Sequence, residues 1–95
     1  MTNTTHVEDF RRYLTDERHS PVNTISSYIR DISQFVFFLE DDGDIELTRA
    51  TTDDVQSFIT NLEDAGKSPA TISRCIASLK TYYGHLSAID RKSVV

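Results

Sequence analysis

The feature that most limits what this chain can fold into is a repetition. The stretch HSPVNTISSY begins at His19 and KSPATISRC begins at Lys67. Apolar residues around them correspond as well. Val7, Phe10 and Leu14 stand 13, 10 and 6 residues before Ser20, as Val55, Phe58 and Leu62 do before Ser68. Beyond each Ser-Pro, the positions Ile25, Ile29, Ile32, Val36 and Leu39 match Ile72, Ile76, Leu79, Tyr83 and Leu86 at a constant offset of 47. Every one of these spacings is helical, and no stretch alternates as a strand would. The chain reads as a short helix and a long helix, used twice.

The spacing predicts a first helix from about Val7 to Arg18, with Val7, Phe10, Tyr13 and Leu14 on one stripe and Thr5 with Glu8 as a capping box. The second is expected to open with Ser20 as N-cap and Pro21 as first helical residue, since proline there gives up an amide that would have no partner. It ends before Gly43, and a polar connector, Asp41 to Thr51, follows. A third helix from about Asp53 to Ala65 is stopped by Gly66 in the left-handed position, and Ser68-Pro69 opens the fourth. Neither pair has enough apolar surface to fold alone. The expected fold is therefore all-α, a four-helix bundle-like domain of two crossed helical hairpins around one core. Residues 1–88 are expected to form that domain, with 89–95 the start of a linker.

Ninety-five residues suit one domain. No apolar run reaches the roughly 18 residues of a membrane span, and acidic Glu8-Asp9 near the start is unlike a secretory signal, so a cytoplasmic protein without a membrane partner is expected. A lone cysteine, Cys75, and scattered His6, His19 and His85 offer no metal-ligand spacing, acid-nucleophile pairing or cofactor motif. Cys75 reads as a small buried apolar residue. The acidic run Glu40 to Asp44 lacks the spacing and closing glutamate of a calcium loop, and is read as a solvated connector.

The net charge of −5 argues against a polyanion as ligand, but it is unevenly spread. Residues 40–64 carry −8, residues 67–95 carry +4 and residues 1–39 carry −1. On the fourth helix the positions away from the apolar stripe are Ala70, Ser73, Arg74, Ala77, Ser78, Lys80 and Thr81; on the second they are Asn23, Ser26, Ser27, Arg30, Ser33 and Gln34. Helix propensity and solubility would place Glu and Lys there instead. Short hydroxyl and amide side chains let a helix approach a phosphate backbone, Arg and Lys neutralise it or reach base edges, and a helix start adds amide donors. A surface that docks another protein, or one that merely meets water, has the same pattern.

The strings FRRYLTDERHSPVNTISSYIRDISQFVFFLE and ELTRATTDDVQSFITNLEDAGKSPATISRCIASLKTYYGHL resemble the N-terminal core-binding, or SAM-like, domain of tyrosine recombinases, a family that includes phage integrases and Xer-type enzymes. The resemblance runs from about Phe10 to Leu86. It rests on Ser20 to Asp31 (Ser-Pro-x-Asn-Thr-Ile-x-x-Tyr-x-x-Asp), on Thr51 to Val55, and on Ser68 to Arg74 followed by Leu79-Lys80-x-x-Tyr83. It implies a domain that clamps double-stranded DNA at a recombination half-site beside other recombinase protomers, its long helices in or across the major groove. It further implies a separate catalytic domain with a tyrosine nucleophile, so no catalytic residue is expected on this chain and Tyr82 and Tyr83 are read as packing aromatics. DNA contacts are expected from Asn23, Thr24, Ser27 and Arg30 and from Lys67, Thr71, Ser73, Arg74, Ala77 and Lys80. The chain is more acidic than members of this family often are, which predicts weak, strongly salt-dependent affinity. Phe37 and Phe38 lie off the main stripe and are read as core, or else as a patch for a neighbouring protomer. The reading from another class is a helical protein-interaction module with an acidic docking surface.

Overall fold

The structure, a computed structural model, describes the backbone of residues 3–93 and the side chains of 3–41 and 43–87. Four helices appear in the expected order: α1 (Asn3–Asp16), α2 (Val22–Gly43), α3 (Thr52–Asp64) and α4 (Pro69–Ser93), with a single 3-10 turn at Leu47–Arg49 and no strand among the described residues. Residues 89–93, expected to begin a linker, continue α4 as helix. None of these helices is long and apolar enough to cross a membrane.

The periodic apolar positions form the core. Phe10 and Leu14 from α1, Ile29, Ile32, Phe35 and Leu39 from α2, Phe58 and Leu62 from α3, and Cys75, Leu79 and Tyr82 from α4 are all buried. The long helices α2 and α4 make the most extensive interface, with α1 packed on α2 and α3 packed on α4. Aromatic rings tie the hairpins together: Phe10 meets Tyr82 edge-on at 5.2 Å, and Phe35 and Phe38 lean on Phe58 at 5.0 and 5.5 Å.

The repetition is off by one residue between motif and structure. Ser68 is the N-cap expected of it: its Oγ accepts from the Thr71 amide at 3.2 Å, with Pro69 as first helical residue. In the first copy the N-cap is Pro21, with no side-chain acceptor, and Ser20 lies outside the helix. Both helices nonetheless start identically in backbone terms, Ile25 N–H donating to Pro21 O and Ile72 N–H to Ser68 O, each at 3.0 Å. Pro21 is thus the structural counterpart of Ser68, an offset of 47, whereas the Ser-Pro motif repeats at 48.

The surplus residue sits at the end of α1. There Ser20 N–H bonds to Leu14 O, six residues back, whereas α3 closes with the ordinary five-residue span of Lys67 N–H on Leu62 O. The left-handed residue is Gly66 (φ 79°) in one hairpin and His19 (φ 51°) in the other.

Three further boundaries differ from expectation. Helix α1 begins by Asn3, so Thr5 lies inside it and cannot be its cap. The reason is an anchor to the connector: Asn3 Oδ1 accepts from Leu47 N–H at 2.7 Å, its amide donates to Ile45 O at 3.3 Å, and buried His6 meets Glu46 at 2.8 Å. Helix α2 includes Gly43, and Asp44 (φ 56°) takes the left-handed position instead. Most of the acidic run is therefore the last turn of α2 rather than a loop. Helix α3 starts one residue early, on a capping box in which Asp54 N–H donates to Thr51 Oγ1 and Thr51 N–H to Asp54 Oδ2.

Candidate nucleic-acid interface

Two stretches build the candidate surface, α2 up to Leu39 and the segment from Ala65 into α4. Between Val22 and Leu39 and between Ala65 and Ile89 the sequence holds one carboxylate, Asp31. The same stretches supply Arg30, Lys67, Arg74 and Lys80. Other acidic residues lie on α1 and just past it, at the end of α2, in the connector, on α3 and near the end of α4.

Asp31 does not oppose the cations from the surface. It is 1% exposed, and sits in the α2–α4 interface. Arg74 donates to it twice, from Nε to Oδ2 and from Nη2 to Oδ1, both at 3.1 Å. Ser78 Oγ donates to Oδ2 at 2.9 Å and is also within 3.1 Å of Arg74 O one turn back. Burying a carboxylate is tolerable only with such donors around it. Asp31 in turn raises the Arg74 guanidinium above its ordinary range, first by hydrogen bonding and then by its charge. The polar side chains therefore divide into two rows, one sealed between the long helices and one facing outward.

Asn23, Arg30, Lys67, Ser73, Ala77 and Lys80 are exposed. Thr24, Ser27 and Thr71 are half-buried, and the Thr71 hydroxyl accepts from Ser68 Oγ at 3.0 Å. The Arg74 side chain is 42% exposed, so it spans both rows. Lys80 edges the groove between α3 and α4, beside Val55, Ile59, Ile76 and Tyr83, on the opposite flank of α4 from Asp31. Ser78, assigned to the outward face by wheel position, is fully buried because it serves Asp31. That Asp31, 43 residues from Arg74 in sequence, would organise the face had no signal beyond its being the one acid between Val22 and Leu39.

Phe37 also departs from its core reading. It is 73% exposed, while Phe38 is half-buried against Phe58. Tyr82 is 3% exposed; burial pushes its hydroxyl up to about 12. Tyr83 is half-buried, and its hydroxyl donates to Leu47 O at 2.8 Å. Both are held in packing roles. Cys75 is buried, its thiol pushed up to about 11 by desolvation and by the nearby Asp31.

A family profile described as "Phage integrase, N-terminal SAM-like domain" matches residues 7–88. Among curated proteins, the chain is 37% identical over 81 residues to a tyrosine recombinase XerD of Oceanobacillus iheyensis, covering 84% of this chain and 27% of that protein. It is 34% identical over 82 residues to a tyrosine recombinase XerC of Lacticaseibacillus casei, covering 85% and 28%. It is 37% identical over 83 residues to a tyrosine recombinase XerD of Listeria monocytogenes, covering 84% and 27%. The chain thus spans about a quarter of the length of the curated relatives it matches. No solved structure gives a match.

Proposed function

Because the chain belongs to the family of phage integrase N-terminal SAM-like domains, we propose that it binds duplex DNA at a recombination half-site for a site-specific tyrosine recombinase, the cutting and rejoining being done by a separate catalytic domain. Residues 1–88 would be the DNA-binding unit, with the end of α4 leading toward that domain and other protomers engaged alongside. One observation carries the reading. In a chain with 15 acidic and 10 basic residues, the stretches Val22 to Leu39 of α2 and Ala65 to Ile89 leading through α4 hold a single acid, and it is buried against Arg74. A face of Asn23, Arg30, Lys67, Ser73, Ala77 and Lys80 offers phosphates cations and small donors without an opposing charge.

Electrostatics sets the expected strength. Few cations on a net −5 chain give modest affinity that falls steeply with salt. Anisotropy titrations of a labelled duplex, from about 50 to about 200 mM salt, should give log K against log salt a slope of about −3, and Arg30→Ala, Lys67→Ala and Lys80→Ala should each flatten it by about 1. Absence of binding at the lowest salt would favour the rival reading, a helical protein-interaction module docking through its acidic surface. The observation on that side is exposed Phe37, with Glu8 and Glu40 lining the adjoining groove.

A further inference from the structure

We infer that Asp31 is a positioning residue of this interface: with Ser78 it locks Arg74 so that the free edge of the guanidinium meets one pair of parallel acceptors on the duplex. The inference rests on the DNA-binding reading above and concerns how that site reads its ligand.

A guanidinium has five N–H donors in a rigid plane, and they form two usable edges. Asp31 takes the side edge, Nε and the adjacent Nη2 hydrogen, at 3.1 Å each. The end edge, one hydrogen on Nη1 and the second on Nη2, stays whole and points away from the carboxylate. That edge matches two acceptors side by side, as found in two non-bridging phosphate oxygens or in O6 and N7 of guanine. A free arginine would sample many rotamers before finding such a pair. Here the carboxylate is 1% exposed and held by a Ser78 hydroxyl at 2.9 Å, so the guanidinium is fixed from behind. With 42% of its side chain exposed, Arg74 still reaches outward.

The pairing also changes what kind of contact Arg74 makes. Its charge is balanced by Asp31, so Arg74 adds little to long-range attraction and acts by direction, whereas Arg30, Lys67 and Lys80 act by charge. Loss of Asp31 would then raise the net positive charge of the face and still weaken the oriented contact.

The test uses the 95-residue chain and a pool of duplexes with a randomised centre, enriched on the wild-type protein. Affinities are corrected for the folded fraction seen by circular dichroism. Arg74→Lys keeps an ion pair with Asp31, and so the fold, but removes the fork; Asp31→Asn releases it. Both variants should bind the enriched duplexes about tenfold more weakly. If the acceptor pair is guanine, the loss is confined to one G·C position and the preference there disappears. If it is phosphate, the loss is uniform across enriched sequences. Unchanged affinity in Asp31→Asn alongside a loss in Arg74→Lys would make Asp31 purely structural and overturn the inference. Unchanged affinity in both, with binding still abolished by Lys67→Ala and Lys80→Ala together, would overturn it while leaving DNA binding intact. No binding by wild type would remove both.

Discussion

Removing Arg74 should cost far more stability than removing the carboxylate it serves. In Arg74→Ala, Asp31, 1% exposed in the wild type, loses both guanidinium hydrogen bonds and keeps that of Ser78. Hydrogen bonds to a buried charge contribute about 1.5 to 3 kcal/mol each, and stripping one partner from a buried pair costs about 3 to 5 kcal/mol in total. In Asp31→Ala the survivors are better placed. Arg74 is 42% exposed and turns to water, and Ser78 Oγ retains Arg74 O at 3.1 Å. That loss should be only about 1 to 2 kcal/mol. The double variant Asp31→Leu with Arg74→Met, which leaves no orphaned charge, should be more stable than Arg74→Ala alone. Urea unfolding followed by circular dichroism measures all four proteins. With a slope near about 1.5 kcal/mol per molar, Arg74→Ala should lower the midpoint by about 2 M relative to wild type, and Asp31→Ala by about 1 M. Equal shifts for the two single variants, or an Arg74→Ala cost under about 1 kcal/mol, would mean that water reaches Asp31 and the burial argument is wrong.

Four other outcomes follow from the same structure. Ser68→Ala should lose about 1 kcal/mol by thermal or urea unfolding and Ser20→Ala almost nothing, since only Ser68 accepts a helix amide; equal losses would restore two equivalent caps. His19→Gly, at φ 51°, should raise stability by about 0.5 to 1 kcal/mol, a melting-temperature gain of roughly 4 °C. Tyr82 ionises in the unfolded chain near about 10 and in the fold only at about 12. The folded state holds the proton more tightly, so this contribution is complete below pH of about 10 and is lost as pH rises toward 12. Replacing Tyr82 by Phe should flatten the alkaline loss of stability between those values. Cys75, its thiol at about 11, should react with a disulfide reagent at neutral pH only as fast as the protein opens, so the rate should climb with urea in step with unfolding.

Apolar spacing made α1 to α4 and most of the core legible, because each buried side chain in a helix is announced by others one turn away. Leu47 had no such announcement. It is fully buried, but it lies in a mostly polar connector without helical periodicity and is placed by partners distant in sequence, Asn3 and Tyr83. Phe37 failed in the opposite direction: hydrophobicity alone does not say which side of α2 is covered, and its side is open. On the candidate site, outward placement held for Asn23, Arg30, Ser73, Ala77 and Lys80. For Arg74 and Ser78 a wheel could show only that they border the α4 surface. That an acid on α2 would draw them into the seam is a pairing between helices, and single-helix periodicity carries no information about it.

The widened ending of α1 decides where the two hairpins can be exchanged. A residue of slippage turns a helix by about 100°. A chimera spliced at Ser-Pro would therefore bring Ile72 into the place of Thr24 and roll the whole apolar stripe toward solvent. Spliced at the left-handed residues, His19 against Gly66, the stripes stay aligned, because from there onward the backbones share one register. The hairpins are interchangeable parts whose joint lies upstream of their most visible label.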